Sequence, residues 1–217
     1  MQNRSGVQTT NMNRLPVFET FYSIQGEGKN SGMAAFFIRL AGCNVGCNFC
    51  DEKRAWNTNN SSLQSIQEII ELIKLSKAKN VVVTGGEPTL YDLTELTEKL
   101  HKTGIKTFLE TSGVNHITGY WDWITLSPKQ MLYPLPLSLS QANEIKVVIK
   151  QKEDFLFAER MRLRANEYLD LQKYSQFYYL QAEYSQYAEI LPQIIEYIKQ
   201  NPIWRLSLQT HKMINIK

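Results

Sequence analysis

The chain has 217 residues, of which 43% are hydrophobic and 21% are charged, and its formal net charge is +3. These values are ordinary for a folded globular protein and exclude a disordered or fibrous chain. Basic residues are interspersed with acidic ones, without the basic stripe of a nucleic-acid-binding surface, and no apolar run approaches the roughly 18 residues of a membrane span. We therefore expect one domain that binds neither nucleic acid nor membrane.

The N-terminal segment 1–14 is polar and lacks the apolar core of a secretory signal. We expect it to be a flexible extension of one catalytic domain, 15–217, in the cytoplasm, where thiols stay reduced. The chain has three cysteines, and all of them fall within eight positions. An odd number in one short window argues against a disulfide framework.

Apolar and β-branched runs predict strands, and amphipathic runs between them predict helices. A strand at 34–40 is followed by a helix over 65–75, where isoleucines recur with helical spacing and Ser65 and Glu68 form a capping box. The segment 133–141 is rich in proline and predicts an exposed connection. The remaining predicted elements are a strand at 81–83, a helix from its cap at Asp92 to Gly104, strands at 105–111, 123–129, 144–150, 176–181 and 204–209, and helices at 153–167 and 189–200.

Strands that alternate with helices predict parallel βαβ units, in either an open doubly wound sheet or a full or partial barrel. In both architectures, ligands bind at the loops after the strands. Several distinctive segments lie at such strand ends, so we expect one shared site. These segments are the cysteine loop, TGGEPT (84–89), LETSG (109–113), LSPK (126–129) and YLQ (179–181).

The cysteines Cys43, Cys47 and Cys50 have the spacing CxxxCxxC. A zinc site would need a remote fourth ligand, such as His101, His116 or His211. Soft thiolates also select iron–sulfur clusters, and a four-iron cluster usually takes four cysteines. Three thiolates would leave one iron open to an exogenous ligand, so this interpretation predicts a reactive cluster. Burial as small apolar fillers is the third alternative.

Two segments resemble motifs of the radical S-adenosylmethionine enzymes. They are CNVGCNFC (43–50), with Phe49 in the aromatic position, and GGEP (85–88). The resemblance implies a 4Fe-4S cluster on Cys43, Cys47 and Cys50, with S-adenosylmethionine at the open iron. It also implies a partial, incomplete TIM-like βα barrel.

The chain further resembles the 7-carboxy-7-deazaguanine synthase family from residue 18 to the C-terminus, through segments that include FYSIQGEG (21–28) and SLQTHKMINIK (207–217). The resemblance implies conversion of 6-carboxy-5,6,7,8-tetrahydropterin to 7-carboxy-7-deazaguanine with loss of ammonia, in the biosynthesis of queuosine and related deazapurines. A 5'-deoxyadenosyl radical would abstract hydrogen at C6 before ring contraction. A homodimer and a reductant such as flavodoxin or ferredoxin are implied as well.

The same resemblance implies roles for individual residues, with the chemistry itself carried by the cofactor radical and no catalytic side chain assigned. S-adenosylmethionine would be bound by Phe49, Gly85, Gly86, Glu87, Glu110, Ser127, Lys129 and Gln181. The pterin would be bound by Ile24, Gln25, Gly26, Glu27, Arg39, Thr84, His211 and Lys217. Glu52 stands where many members have a threonine that contacts Mg²⁺. A carboxylate there could bind Mg²⁺ directly or repel the substrate carboxylate if no metal lies between them.

Two alternatives remain open at this point. An activating enzyme that makes a glycyl radical on a partner protein would share the cysteine loop and GGEP, but would not need QGEG or the THK tail. A non-enzymatic iron–sulfur or zinc module would not need Glu27 or Arg39.

Overall fold

In a computed structural model of the chain, we describe residues 13–168 and 176–217. The strands are β1 (Arg14–Ile24), β2 (Ala34–Leu40), β3 (Ser62–Ser65), β4 (Asn80–Gly85), β5 (Lys106–Thr111), β6 (Trp123–Leu126), β7 (Glu144–Ile149), β8 (Phe177–Ala182) and β9 (Trp204–Ser207). The α-helices are α1 (Ile66–Ser76), α2 (Thr94–Lys102), α3 (Pro136–Gln141), α4 (Glu153–Tyr168), α5 (Tyr187–Gln200) and α6 (Thr210–Met213). No helix in this part of the chain is long and apolar enough to cross a membrane.

The strands form one sheet in the order β3-β1-β2-β4-β5-β6-β7-β8-β9. Strand β1 is antiparallel to both of its neighbours, and the strands from β2 to β9 are parallel. The parallel strands follow one another in chain order without the reversal of a doubly wound sheet. Because right-handed crossovers then place the helices on one face, the sheet is an open, partial barrel. The predicted partial barrel is confirmed.

The main hydrophobic core lies between the helices and the outer face of the sheet. Helix α1 buries Ile66, Ile69, Ile70 and Ile73 there, as its spacing predicts. Its capping box is confirmed, since the backbone N–H of Glu68 donates to Ser65 Oγ and that of Ser65 donates to Glu68 Oε2. The core therefore holds the helices on the outer face of the sheet, and the opposite, inner face carries side chains that do not belong to this core.

The inner face changes character along the strands. A small apolar cluster of Ala35, Phe37, Val82 and Phe108 fills one end. Polar and charged side chains from β2, β5, β7 and β8 take the same face toward the carboxyl ends of those strands, and they line a cleft. The fold thus places the strand-end segments around one opening, as the βα pattern predicts.

Three predictions about elements need correction or extension. Segment 133–141 is not an exposed connection throughout, because Pro136–Gln141 forms α3 and Leu139 is fully buried. The N-cap of α2 is Leu93 rather than Asp92, whose carboxylate instead accepts a hydrogen bond from the N–H of Thr94. The sequence pattern also missed β1 and β3. Residues 1–12 of the predicted extension lie outside the described residues, and Arg14 already belongs to β1.

Candidate functional site

The cysteine loop follows β2 and folds back on itself. The N–H of Gly42 donates to the carbonyl of Ala55 at 2.8 Å, so the loop closes on its own far end. Within it, the N–H of Val45 donates to Cys43 Sγ at 3.5 Å, and Trp56 Nε1 donates to Cys50 Sγ at 3.3 Å. N–H groups directed at sulfur stabilise a thiolate relative to a thiol. The loop therefore presents the sulfur atoms of Cys43 and Cys50 as acceptors.

All three thiols line the same cleft. Burial raises the pKa of Cys43 and of Cys47, which are partly shielded from solvent. Binding to iron requires thiolates, so assembly of a cluster here must release protons. Among the described residues, no group of three or more His, Cys, Asp or Glu side chains could hold a single metal ion. A 4Fe-4S cluster attaches each cysteine to a different iron and does not require the sulfurs to meet at one atom.

The GGEP segment at the end of β4 packs directly on the backbone of the cysteine loop. The N–H of Gly86 donates to the carbonyl of Leu40 at 2.9 Å, and that of Glu87 donates to the carbonyl of Gly42 at 2.8 Å. A Cβ atom on Gly86 would lie 2.2 Å from the carbonyl oxygen of Gly42. Since backbone cannot yield as a side chain can, only glycine permits this approach. The two sequence motifs therefore form one structural unit.

Glu87 is buried, and its carboxylate accepts hydrogen bonds from five donors. Oε1 accepts from the N–H and hydroxyl of Thr89 at 3.1 and 2.6 Å and from the hydroxyl of Thr111 at 2.5 Å. Oε2 accepts from the N–H of Ser112 at 2.9 Å and from its hydroxyl. These bonds tie GGEP to the loop after β5. The side chain thus orders the motif.

The QGEG turn after β1 crosses the inner face of the sheet. Glu27 Oε2 accepts from Lys146 Nζ of β7 at 2.6 Å, and Glu27 Oε1 accepts from Gln209 Nε2 at 2.8 Å. Gln25 Nε2 donates to Glu110 Oε1 of β5 at 3.1 Å. The turn is thereby fixed to strands from both halves of the barrel.

Gly26 and Gly28 allow the turn to lie close to its neighbours. A Cβ on Gly26 would lie 2.2 Å from His211 Nδ1, and one on Gly28, where φ is +63°, would lie 2.0 Å from Glu144 Oε1. The carbonyl of Gly26 accepts from both the N–H and the hydroxyl of Thr210 at 2.9 and 3.0 Å. The C-terminal helix α6 therefore packs against the turn.

The loops after β6 and β7 provide cations beside Phe49. Lys129 Nζ lies 5.8 Å and Lys150 Nζ 4.7 Å from the centre of the Phe49 ring. Lys129 also donates to Ser127 Oγ at 2.6 Å, and burial lowers the pKa of Lys129. On the next strand, Gln181 Oε1 accepts from Ser207 Oγ at 2.7 Å. This part of the cleft faces the cysteine loop with positive charge.

Arg39 lies at the end of β2, beside Thr84 of β4 in the strand register. Its Nε donates to Glu19 Oε1 at 2.9 Å, and Lys217 Nζ pairs with the other oxygen of Glu19. A carbonyl oxygen of Lys217 accepts from Ser23 Oγ at 2.6 Å. The C-terminus is thus held along β1, close to Arg39.

Glu52 lines the cleft, but its carboxylate is already paired. Arg54 donates from Nε to Oε1 at 2.7 Å and from Nη2 to Oε2 at 2.5 Å. This hydrogen bonding and the charge of Arg54 lower the pKa of Glu52. A metal ion would therefore have to compete with Arg54 for both oxygens.

The cleft contains about 1030 Å³ of empty space, part of which is open to solvent, a volume suited to a cofactor and a small substrate. Most of the predicted site residues line it: Glu27, Arg39, Cys43, Cys47, Phe49, Cys50, Glu52, Thr84, Gly85, Gly86, Glu87, Glu110, Ser127, Lys129 and Gln181. Ile24, Gln25, Gly26, His211 and Lys217 lie outside the lining. Sequence reasoning assigned no role to several charged or polar lining residues, which are Asp51, Thr111, Ser112, Lys146, Glu183, Tyr184 and Gln209. A lone lysine between buried aliphatic residues of β7 is the signal that could have identified Lys146.

Comparison with known proteins agrees with this architecture. A model of the radical SAM superfamily matches residues 37–125, which contain the cysteine loop and GGEP. The fold and the thiol-lined cleft therefore define a radical S-adenosylmethionine protein, and this class implies a 4Fe-4S cluster and S-adenosylmethionine.

The more similar relatives identify the family. The 7-carboxy-7-deazaguanine synthase of Flavobacterium psychrophilum is 44% identical over 204 residues, which is 93% of this chain and 92% of the relative. That of Synechocystis sp. is 43% identical over 202 residues, 93% of each chain. The crystal structure of QueE from Escherichia coli matches with a TM-score of 0.79 at 31% identity, covering 90% of this chain and 93% of that one. The chain belongs to the 7-carboxy-7-deazaguanine synthase family, and the predicted family is confirmed.

Proposed function

We propose that the protein converts 6-carboxy-5,6,7,8-tetrahydropterin to 7-carboxy-7-deazaguanine and ammonia, in queuosine or related deazapurine biosynthesis. The observation that carries this proposal is a single cleft that joins the thiols of CNVGCNFC, the GGEP segment and the charged residues Glu27 and Arg39. A cluster and S-adenosylmethionine, when bound, would supply the radical chemistry at C6 of the substrate. The chain would bind, orient and shield the reactants.

The cofactor side of the cleft is formed by the cysteine loop and the ends of β4 to β8. Cys43, Cys47 and Cys50 would hold the cluster, and the backbone at Gly85 and Gly86 would face the amino acid part of S-adenosylmethionine. Lys129 brings a cation to the same side, where the cofactor carboxylate needs one. We assign Phe49, Glu110, Ser127 and Gln181 to this half, and Glu87 to ordering it.

The substrate side is formed by the QGEG turn, the end of β2 and the C-terminal segment. Glu27 is an ionised acceptor for N–H groups of the pterin ring, and the planar fork of Arg39 suits the substrate carboxylate. Thr84 lies beside Arg39. Ile24, Gln25, Gly26, His211 and Lys217 would complete this half, with His211 packed against Gly26.

We assign Mg²⁺ to Glu52 as part of the same proposal. Its carboxylate is a hard oxygen donor that lines the cleft, within reach of the charge of Arg39. Arg54 would have to release it first. We further propose that the protein acts as a homodimer in the cytoplasm, with electrons from a reductant such as flavodoxin or ferredoxin.

The direct test is anaerobic reconstitution with iron and sulfide, followed by incubation with reductant, S-adenosylmethionine and 6-carboxytetrahydropterin. We expect 7-carboxy-7-deazaguanine, identified by mass spectrometry. Formation of 5'-deoxyadenosine without this product would contradict the proposed substrate and favour a glycyl-radical activating enzyme. Failure to assemble a cluster would favour a zinc site or a purely structural role for the cysteines.

A matched variant separates substrate binding from cluster assembly. Arg39→Ala should weaken pterin binding and leave the iron content per chain unchanged, because Arg39 contacts Glu19 and not the cysteine loop. Arg14→Ala removes an arginine of β1 whose weak ion pair with Glu68 is exposed, and should behave as wild type. Unchanged turnover kinetics in Arg39→Ala would contradict the assigned role.

A further inference from the structure

Lys146 is a buried lysine in a strand of buried aliphatic residues. Its neighbours Ile145 and Val147 face the helix layer and are fully buried, so alternation along β7 directs Lys146 to the inner face. The side chain is 4% exposed. An ammonium group in such a place is costly unless carboxylates accompany it. Its position therefore calls for an explanation in terms of its partners.

The partners of Lys146 come from the two halves of the cleft. Its Nζ donates to Glu27 Oε2 at 2.6 Å and to Glu110 Oε2 at 3.1 Å. Glu27 belongs to the turn assigned to the pterin, and Glu110 belongs to β5 on the cofactor side. Lys146, whose backbone belongs to β7, thus bridges these two carboxylates by hydrogen bonds.

These contacts form a closed ring of hydrogen bonds. Gln25 Nε2 donates to Glu110 Oε1 at 3.1 Å, and the N–H of Glu27 donates to Gln25 Oε1 at 3.2 Å. Lys146 closes the ring through one oxygen of each carboxylate. Loss of the ammonium would therefore remove the charged donor from both carboxylates at once, and would leave Glu110 held by Gln25 and Glu27 held by Gln209.

The charges in the ring are unequal. Burial opposes ionisation of Glu27, but the Lys146 ammonium and the bond from Gln209 lower the pKa of Glu27 to about 2. Burial raises the pKa of Glu110 to about 7, with Lys146 opposing this rise and Glu27 and Glu144 adding to it. Lys146 itself stays charged, because these carboxylates outweigh its burial and raise its pKa. One carboxylate is thus a permanent acceptor, whereas the other can hold a proton near neutral pH.

We propose that Lys146 is a positioning residue for the proposed reaction, which holds Glu27 and Glu110 at fixed points of the cleft so that Glu27 can accept hydrogen bonds from the substrate ring. This inference rests on the proposed function, since it takes its substrate from there. Lys146 acts through Glu27 and is not assigned a contact with the substrate.

The test compares Lys146→Met, Glu27→Gln and the double variant with wild type, each reconstituted with its cluster and without reductant. Equilibrium dialysis with 6-carboxytetrahydropterin gives the affinity without turnover. We expect about a tenfold loss in Lys146→Met, equivalent to one or two hydrogen bonds. The double variant should lose no more than Glu27→Gln, because Lys146 acts through Glu27. The proposal would be overturned if the losses of affinity in the two single variants added up in the double variant. It would also be overturned if Lys146→Met bound the pterin with an affinity within twofold of that of wild type.

Two further variants keep the test decisive. The double variant also guards against misfolding, because it removes a buried carboxylate charge together with the ammonium. Lys199→Met removes an exposed lysine paired with Glu196 and should bind as wild type.

A ligand-free measurement separates this inference from the proposed function. Amide hydrogen exchange at residues 25–29 should quicken in Lys146→Met and not in Lys199→Met. If wild type binds no pterin, the proposed function fails. Unchanged exchange in Lys146→Met would then overturn the positioning role independently.

Discussion

The carboxylate of Glu87 joins two segments that are far apart in the sequence, the GGEP segment and the end of β5. Its five donors come from Thr89 on one side and from Thr111 and Ser112 on the other. A sequence motif suggests a side chain that faces a ligand. Glu87 lines the cleft, and its carboxylate also accepts five hydrogen bonds from the protein that order the GGEP segment.

Glu87→Gln should therefore destabilise the fold. In either orientation of the amide, its NH₂ group replaces an oxygen that accepts from a backbone N–H, so at least one buried donor is left without an acceptor. We therefore expect a loss of about 2 kcal/mol in the free energy of unfolding. Urea unfolding of the metal-free protein measures it. Glu71→Gln changes an exposed carboxylate on α1 and should cost little. Equal stabilities for the two variants would show that the five bonds contribute nothing.

Glu52 and Arg54 give a second prediction at this scale, for magnesium. Because Arg54 occupies both oxygens of Glu52, Arg54→Gln should free the carboxylate and lower the Mg²⁺ concentration for half-maximal turnover severalfold. Glu52→Gln should raise that concentration. Lys53→Gln, beside them in the same exposed turn, is the control. If the Mg²⁺ dependence is the same in all four proteins, Glu52 is not a metal ligand.

Among the secondary-structure elements, the parallel strands and their helices were predictable because each buries a continuous apolar run or a helical stripe. Strand β1 was not, since only Leu15–Val17 are buried, the later residues of the strand are partly or fully exposed, and the strand pairs in antiparallel fashion at one side of the sheet. Helix α3 was missed for another reason. Pro136 looks like a breaker in sequence, yet it occupies the first turn of α3, where its missing N–H costs nothing.

The segment after β9 contacts both halves of the site. Gln209 Nε2 donates to Glu27 Oε1 at 2.8 Å and to Asp51 Oδ2 at 3.1 Å, so it links the QGEG turn to the cysteine loop. Gln209→Leu keeps the bulk and removes both bonds. We expect the KM for the pterin to rise about tenfold, equivalent to about 1.4 kcal/mol or one to two hydrogen bonds, with the affinity for S-adenosylmethionine unchanged.

Lys212→Met is the matched control for Gln209→Leu. Lys212 donates to Asp51 at 2.7 Å and to Gln209 Oε1 at 3.1 Å. Unlike Gln209, it makes no hydrogen bond to Glu27 within the described part of the chain, and its pair with the 58% exposed carboxylate of Asp51 is screened by solvent. We expect its KM to stay near that of wild type. A similar rise in both variants would assign the effect to the contacts among Asp51, Gln209 and Lys212 rather than to the bond between Gln209 and the QGEG turn.

Across the whole molecule, contacts between residues far apart along the chain could not be predicted from the sequence. The cysteine and GGEP motifs are local, and their residues could be recognised one segment at a time. Lys146 and Glu27 are 119 positions apart, and Gln209 and Glu27 are 182 apart. Only the folding of the strands into one curved sheet brings them together, so no local pattern marks them as partners.

The buried ring also makes stability depend on pH. Because burial raises the pKa of Glu110 to about 7, against the charge of Lys146, its contribution to stability is fully present below the unfolded value near 4.5 and is lost as pH rises through 7. Glu27, whose pKa is lowered to about 2, has the opposite sign, and its contribution is lost only as pH falls from 4.5 toward 2. Between pH 4.5 and 7, Glu110 therefore accounts for most of the change in the free energy of unfolding that this ring contributes.

In wild type, we expect the free energy of unfolding to decrease by up to roughly 3 kcal/mol between pH 4.5 and 7, since one pKa unit corresponds to about 1.4 kcal/mol. Glu110→Gln should abolish this decrease, because the amide does not titrate. Urea unfolding of the metal-free protein at intervals of pH measures the slope. Glu71→Gln should keep the slope of wild type, because that carboxylate is exposed on α1. A slope that is unchanged in Glu110→Gln would mean that Glu110 is ionised throughout this range, and that the single cation of Lys146 balances both carboxylates of the ring.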